Sequence, residues 1–370
     1  MCVNWNHKRK SHVKNNGGRS LLLFVAASLS FLPASYAQNV TDNSQTKAAE
    51  PGAKELPQPM AYDKAFPIAK GYADIFLKGT GGDLWDKMTQ EMQQALGNDR
   101  TKWEVMAGGI GQQIGKVTET VNERMLPSLQ LQVYTRLIRT DGFPGRLVVT
   151  IALTADGKIT GLSGRPEGNP AESNFLEYKD KNTYRFPLTG EWTIYQGGRS
   201  VYDNYHAAFA DERFAYDIVE FRDGSMCKDG ATSLEMFYGF GQPVVAAGAG
   251  KVASAEDKYE DNALGKPSDT APKQGNNVVI DHGNGEFTMY AHLKRGSVKV
   301  KAGDAVKAGQ QIAEVGNSGN APLPHLHFHM QNTATWFQGG GMPVTFHGAS
   351  VNGKMQAESE PVRGDVVKSQ

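Results

Sequence analysis

The sequence predicts an α+β N-terminal domain, with helices packed on an antiparallel sheet, followed by a mostly antiparallel all-β domain. Three observations predict it. Apolar residues recur at helical spacing from Tyr62 to Ala107. From Leu129 they alternate with polar residues instead, the period of a half-buried strand. From Phe186 onward the chain breaks into short apolar runs separated by Gly, Asn and Asp, with no long helical pattern.

The 370 residues suffice for two domains, each with its own core. Residues 1–37 read as a cleaved signal peptide. Lys8, Arg9, Lys10, Lys14 and Arg19 precede the apolar run Leu21–Leu32, and Ser35 and Ala37 fit the small-residue positions of a signal-peptidase site. The run is too short to span a bilayer comfortably. Export follows, with a periplasmic setting favoured over secretion because no wall-anchoring repeat is recognisable. Removing the five charges leaves 34 basic against 39 acidic residues, so the mature chain is mildly acidic. That balance argues against a nucleic-acid partner, which calls for a clustered basic face, and no second apolar stretch approaches transmembrane length. Cys227 is then the only cysteine, so no internal disulfide forms.

Residues 38–60 are polar and rich in Ala, Pro and Gln, a flexible linker. The accessory domain spans 61–166. Phe66, Ala69, Ala73 and Phe76 mark one helix and Leu84, Met88, Met92 and Leu96 a second, with the break at Gly79–Asp83; a third, short helix runs from Thr101 to Ala107. Leu129, Leu131 and Val133, then Leu147, Val149, Ile151 and Leu153, mark strands, and Ala155–Lys158 is a hairpin turn. Residues 167–185 read as a linker, 186–347 as the β-rich domain, and 348–370 as a polar, frayed tail.

Histidines carry the chemistry. None occurs between residues 38 and 205, whereas His206, His282, His292, His325, His327, His329 and His347 all follow. His325-Leu326-His327-Phe328-His329 reads as a strand, so the three imidazoles project from one face and Leu326, Phe328 and Met330 from the other. Converging imidazoles make a poor core and a good start for a metal site. Side chains two apart on a strand stand about 6–7 Å apart along the chain, which lets one bind a metal while its neighbour faces the reacting water. His282, at the hairpin IDHGNGEF, reads as structural, and His347 as a surface residue.

The stretch NNVVIDHGNGEFTMYAHLKRGSVKVKAGDAVKAGQQIAEVGNSGNAPLPHLHFHM resembles the C-terminal half of the lysostaphin-like, or LytM-type, zinc peptidases that cut peptidoglycan cross-links. NYHAAFADERFAYDIVEF resembles their first metal motif, and YGFGQPVVAAGAGKVASA their connecting strands. The likeness covers about residues 186–335. It implies a LytM-type peptidase fold, one zinc ion held by His206, Asp217 and His327, and catalytic imidazoles at His292 and His325, with the division of labour between those two left open. It implies a zinc metalloendopeptidase whose partners are peptidoglycan stem or cross-bridge peptides; the alternative is a non-catalytic wall-binding or hydrolase-activating module on the same fold.

Two departures accompany the likeness. The usual first motif has three residues between His and Asp, whereas ten separate His206 from Asp217. Asp211 is nearer, in the charged loop ADER, but the strand FAYDI makes Asp217 the more rigid ligand. His329 stands where many relatives carry a carboxylate or amide, and reads either as a support for the ligands or as a polar strand residue. The N-terminal domain resembles, by pattern and by FPGRLVVTIALTADGKITGL, the nuclear transport factor 2-like fold, an accessory or positioning role being implied.

Overall fold

A computed structural model describes residues 58–369. The expected signal peptide, and all but the end of the expected linker at 38–60, lie outside the described residues. No helix among them is long and apolar enough to cross a membrane.

The chain opens with helix α1 (Tyr62–Leu77), which buries Ala65, Ala69, Ala73 and Phe76 along one stripe. A single second helix carrying Leu84, Met88, Met92 and Leu96 does not form. Instead Gly81–Lys87 makes a 3₁₀ turn, Met88 is extended, and α2 (Gln90–Ala95) starts afresh, its first turn capped by Thr89 Oγ1 accepting from Met92 N at 3.2 Å. Leu84, Met88 and Met92 are nevertheless all buried in one core, so the spacing tracked burial rather than a continuous helix. The third helix is longer than expected: α3 runs Arg100–Ile114, through Gly108, Gly109 and Gly111. A glycine is required at 111 because a Cβ there would meet Gly79 Cα at 2.4 Å. Buried Trp103 ties α3 back to the 3₁₀ turn, its indole N–H donating to Gly81 O at 2.8 Å.

Strands β1 (Val117–Ser128), β2 (Leu131–Thr140), β3 (Arg146–Leu153) and β4 (Ile159–Pro166) follow as an antiparallel meander in chain order. The expected Ala155–Lys158 turn joins the last two, with Thr154 N donating to Lys158 O. Strand β2 is buried on both faces. Tyr134 and Ile138 face the helices, whereas Leu131, Val133 and Leu137 belong to separate clusters on the opposite face. That second face packs on the C-terminal domain through Tyr202, which is buried with Leu137 and Val148.

The C-terminal domain comprises β5 (Gly190–Gln196), β6 (Tyr216–Val219), β7 (Pro243–Val245), β8 (Gly250–Glu256), β9 (Asn276–Asp281), β10 (Phe287–Leu293), β11 (Ala305–Val306), β12 (Gln311–Glu314), β13 (Leu326–Gln331), β14 (Gly341–Met342), β15 (Phe346–Val351), β16 (Lys354–Ser359) and β17 (Val366–Ser369). One large antiparallel sheet has the order β11-β8-β9-β10-β13-β6-β5-β17-β15-β16, with β14 pairing β13; β12 and β7 form a separate pair. Ile218, Tyr290, Leu326, Phe328 and Phe346 lie together in its core. The alternation expected of the histidine strand is present: Leu326, Phe328 and Met330 enter that core, and the histidines take the other face.

The tail from Gly348 is not frayed. Residues 346–359 form the β15–β16 hairpin, and β17 inserts between β15 and β5, with Val367 fully buried. Its polar sequence reflects strands with one exposed face, a pattern hidden by alternation over only a few residues. A chain ending at Ser359 should therefore lose its cooperative thermal transition in circular dichroism, whereas loss of a frayed tail would leave the midpoint where it was.

Candidate metal centre

The site is built on the pairing of β6 with β13. Their register sets Asp217 opposite His327, and β10 flanks the other side with Ala291 opposite His327, bringing His292 alongside. His206 comes from a short 3₁₀ turn, Tyr205–Ala208. Fully buried Asn204 fixes that turn: its side-chain oxygen accepts from His206 N at 3.1 Å, and its amide donates to Gly198 O at 3.1 Å and Ala215 O at 3.0 Å.

The structure brings His206, Asp217 and His327 together, all buried, with ligand atoms within 4.8 Å of one another. His206 Nε2 lies 3.1 Å from both Asp217 oxygens, and His327 Nδ1 lies 2.9 Å from Asp217 Oδ1. Ligand atoms about 2.1 Å from a tetrahedral zinc stand about 3.4 Å apart, so a small contraction of that geometry is what these side chains already hold. Asp211, the alternative carboxylate, lines the same groove but is not in the cluster.

Hydrogen bonds behind the cluster fix which nitrogens face it. Gln331 Nε2 donates to Thr333 O and Thr335 O, each at 2.7 Å, so its carbonyl oxygen points to His329 Nε2 at 3.1 Å and accepts. His329 Nδ1 is then the acceptor for His327 Nε2–H at 3.0 Å, leaving a lone pair on His327 Nδ1. Glu212 likewise accepts from His206 Nδ1–H at 3.1 Å, leaving a lone pair on His206 Nε2. Two lone pairs and a carboxylate thus converge at hydrogen-bond distance, an arrangement that repels itself unless a cation or proton sits among them. The donor set, two imidazoles and a carboxylate, is one that zinc takes with an open fourth position, and a His-Asp-His cluster of this kind is consistent with a single zinc site.

Electrostatics agree. Burial pulls the His206 pKa down, but Asp217 and Glu212 outweigh it and lift the imidazole to about 10. Burial alone would raise Asp217; the charge of His206 and the hydrogen bonds from His206 and His327 hold it well below the usual carboxylate range instead. Glu212 is brought to about 2 against burial by the hydrogen bond to His206 and the nearby imidazoles. His329, by contrast, is driven to about 3, first by burial and then by His327, which keeps it neutral as the relay requires.

His292 and His325 sit beside the cluster with ring centroids 4.7 Å apart. His292 Nδ1 donates to Ser318 O at 2.9 Å and His325 Nδ1 to Leu323 O at 2.7 Å, so each turns a bare Nε2 elsewhere. His325 Nε2 is 3.7 Å from Asp217 Oδ1. His292 holds its place with φ of +59°, backbone strain of a kind found at functional sites. Burial lowers both imidazole pKa values, well below the ordinary value for His292. Both rings line a groove of about 530 Å³ shared with Tyr205, Phe209, Trp336 and Lys273. His282 is elsewhere, bonded to Ala249 O and Thr288 Oγ1, a structural histidine, and half-buried His347 sits on β15.

The sequence reading missed Glu212 and Gln331. Glu212 lies in the charged loop ADER, and its signal would have been a carboxylate close enough to His206 to orient it. Gln331 continues the same strand face as the histidines, two residues past His329, and that period was the available signal.

Fold and centre together define a metallopeptidase domain. Residues 230–339 match the model of peptidase family M23, and the C-terminal part of the chain is an M23-family zinc metallopeptidase domain of the LytM, lysostaphin-like kind. His206 and Asp217 precede the matched span, so two of the three cluster residues come from outside it. Similar curated proteins include peptidoglycan DD-endopeptidase ShyA of Vibrio cholerae, 46% identical over 59 residues, 16% of this chain and 13% of that protein. Cell division protein DipM of Caulobacter vibrioides is 34% identical over 95 residues, 26% of this chain and 13% of that one. Peptidoglycan DD-endopeptidase ShyB of Vibrio cholerae is 37% identical over 90 residues, 24% and 18% of the respective chains. The matched regions thus span less than a fifth of these relatives' lengths.

Two outcomes follow for zinc. Asp217→Ala should abolish stoichiometric zinc in the purified protein and Asp211→Ala should keep it; the reverse result in elemental analysis would move the ligand to Asp211. His329→Ala should weaken zinc by about 10- to 100-fold in chelator competition, the usual cost of losing a group that orients a ligand.

Proposed function

We propose that this protein is a zinc-dependent metalloendopeptidase that hydrolyses peptide cross-links of peptidoglycan. The observation that carries the reading is the His206–Asp217–His327 cluster at the floor of an open groove, with the bare Nε2 atoms of two neutral imidazoles beside it. The substrate class is supported by the M23 match and by relatives named as peptidoglycan DD-endopeptidases. Zinc bound at the cluster would supply Lewis acidity toward a carbonyl and toward water. The protein's own groups do the rest. His206, Asp217 and His327 would hold the ion, Glu212 and His329 fix the tautomers of the two ligand imidazoles, and His325 and His292 take up and return protons and hydrogen-bond the developing oxyanion. His325 is the better placed to exchange a proton, because its Nε2 already approaches the ligand carboxylate.

We further propose export to the periplasm on the strength of residues 1–37, and a nuclear transport factor 2-like class for the N-terminal domain, whose helices followed by a four-stranded meander are compatible with it. The matched segments cover a minor part of the relatives, so the substrate is tested directly. Purified mature protein, loaded with zinc and incubated with sacculi, should release muropeptides with new amino termini by mass spectrometry; wall binding with no new termini would point to the non-catalytic module instead.

His325→Ala should keep its zinc and lose about 10²- to 10⁴-fold in kcat, the range for one acid–base group. The pH profile is also fixed in sign. The working form of His292 and His325 is neutral, and burial lowers both pKa values. The acid limb of kcat/KM at saturating zinc should therefore fall below the ordinary histidine value of about 6.5, with activity lost only as pH drops through the depressed values. An acid limb at or above that value would remove both imidazoles from the role of base.

A further inference from the structure

The N-terminal domain touches the metal centre's surroundings in two places. The first is the segment that leads into His206. Arg124, on β1, donates to Asp203 and to the carbonyl of Arg363, and its guanidinium lies 4.7 Å over the Tyr202 ring. Tyr202 is buried against the outer face of the N-terminal sheet, its hydroxyl 3.2 Å from Thr135 O. Asn204, which braces His206, is the next residue after Asp203. Tyr202 and Asp203 are thus anchored to one domain, and three residues later the chain supplies a ligand to the other.

The second place is the groove wall. Leu129 is the first residue of the two-residue turn between β1 and β2, and it adopts φ of +53°. Asn, Asp or Gly usually occupies a positive φ at that position, and a leucine there is strained. Its side chain is buried in one cluster with Val219, Met226, Cys227 and Phe237 of the C-terminal domain. Val219 and Met226 also line the groove. A turn that keeps a strained leucine and spends its side chain on the wall of a neighbouring domain is built for that contact.

We propose that the N-terminal domain is a positioning clamp on the metal centre. Arg124 fixes the segment ending in His206 and so sets zinc affinity; Leu129 fixes the wall at Met226 and so sets the fit of the groove. Both are positioning residues, since neither touches the cluster. The second effect, where it is read as turnover, rests on the proposed hydrolase activity.

The whole mature chain is used for the test. Arg124→Ala should weaken zinc on the order of tenfold in chelator competition, while Arg139→Ala, which removes an exposed ion pair with Glu119 on the same sheet, should leave zinc affinity unchanged. Leu129→Gly relaxes the turn while deleting the side chain, so the fold is retained. It should speed deuterium uptake over residues 226–237 and raise KM for a purified cross-linked muropeptide dimer several-fold at constant kcat, with Leu129→Met restoring both. Zinc affinity unchanged in Arg124→Ala, or exchange over 226–237 unchanged in Leu129→Gly, overturns the clamp. A wild type that binds zinc but cleaves no muropeptide overturns the hydrolase reading, and the zinc and exchange measurements then decide the clamp alone.

Discussion

The centre depends on the register between β6 and β13. Asp217 and His327 are paired residues on adjacent strands, so their side chains leave the same face a strand's width apart. A slip of one residue would turn His327 into the core and Phe328 into the groove. That slip is opposed by the whole core beneath, because Leu326, Phe328 and Met330 are fully buried against Ile218, Tyr290 and Phe346. The metal-binding geometry is thus held by hydrophobic packing on the far side of the same strand. Nothing in the ligand loop could supply that precision, and this is the physical reason that Asp217, rather than Asp211, meets the two imidazoles.

The same principle operates at one remove in the hydrogen-bonded row His327–His329–Gln331. Period-two alternation puts the three on one face, and the two carbonyls at Thr333 and Thr335 fix the amide end. Direction then propagates along the row, because a neutral imidazole that accepts at one nitrogen must donate at the other. Low polarity around the row strengthens each bond and keeps His329 unprotonated. Tertiary packing of the N-terminal domain adds a second support: β2 is buried on both faces because it serves its own helices on one side and the peptidase domain on the other.

What was legible in the sequence was what short-range periodicity encodes. The histidine strand was legible because alternation survives over six residues, and the break from helices to strands because the period changes. What depends on chain reversal was not. Glu212 orients His206 only because the intervening loop folds back to Nδ1, and no spacing rule marks it off from an ordinary surface charge. Leu84, Met88 and Met92 kept helical spacing without a continuous helix, since a 3₁₀ turn, an extended residue and a new helix can present the same residues to one core. The C-terminal strands were missed for a related reason: β16 exposes most of its residues, and β17 has only four, too few for alternation to stand out.

Asp217, buried, and Glu212, half-buried, hold the two ring nitrogens of His206 between them; burying a carboxylate costs several kcal/mol without compensation, and the two lone pairs turned toward Asp217 make the cost larger. In the absence of an ion the compensation is a proton, which is why His206 is lifted to about 10 by the two carboxylates. A divalent cation held by His206, Asp217 and His327 would take the place of that proton. The rigidity of the strands then acts in the metal's favour. The donors are held close by strand packing, so a repulsion among them is built in by folding and would be relieved by a bound cation. The site is strained toward the cation in the same sense that the turn at Leu129 is strained toward the groove wall: in both, packing elsewhere in the fold holds a locally unfavourable arrangement for the contact it makes possible.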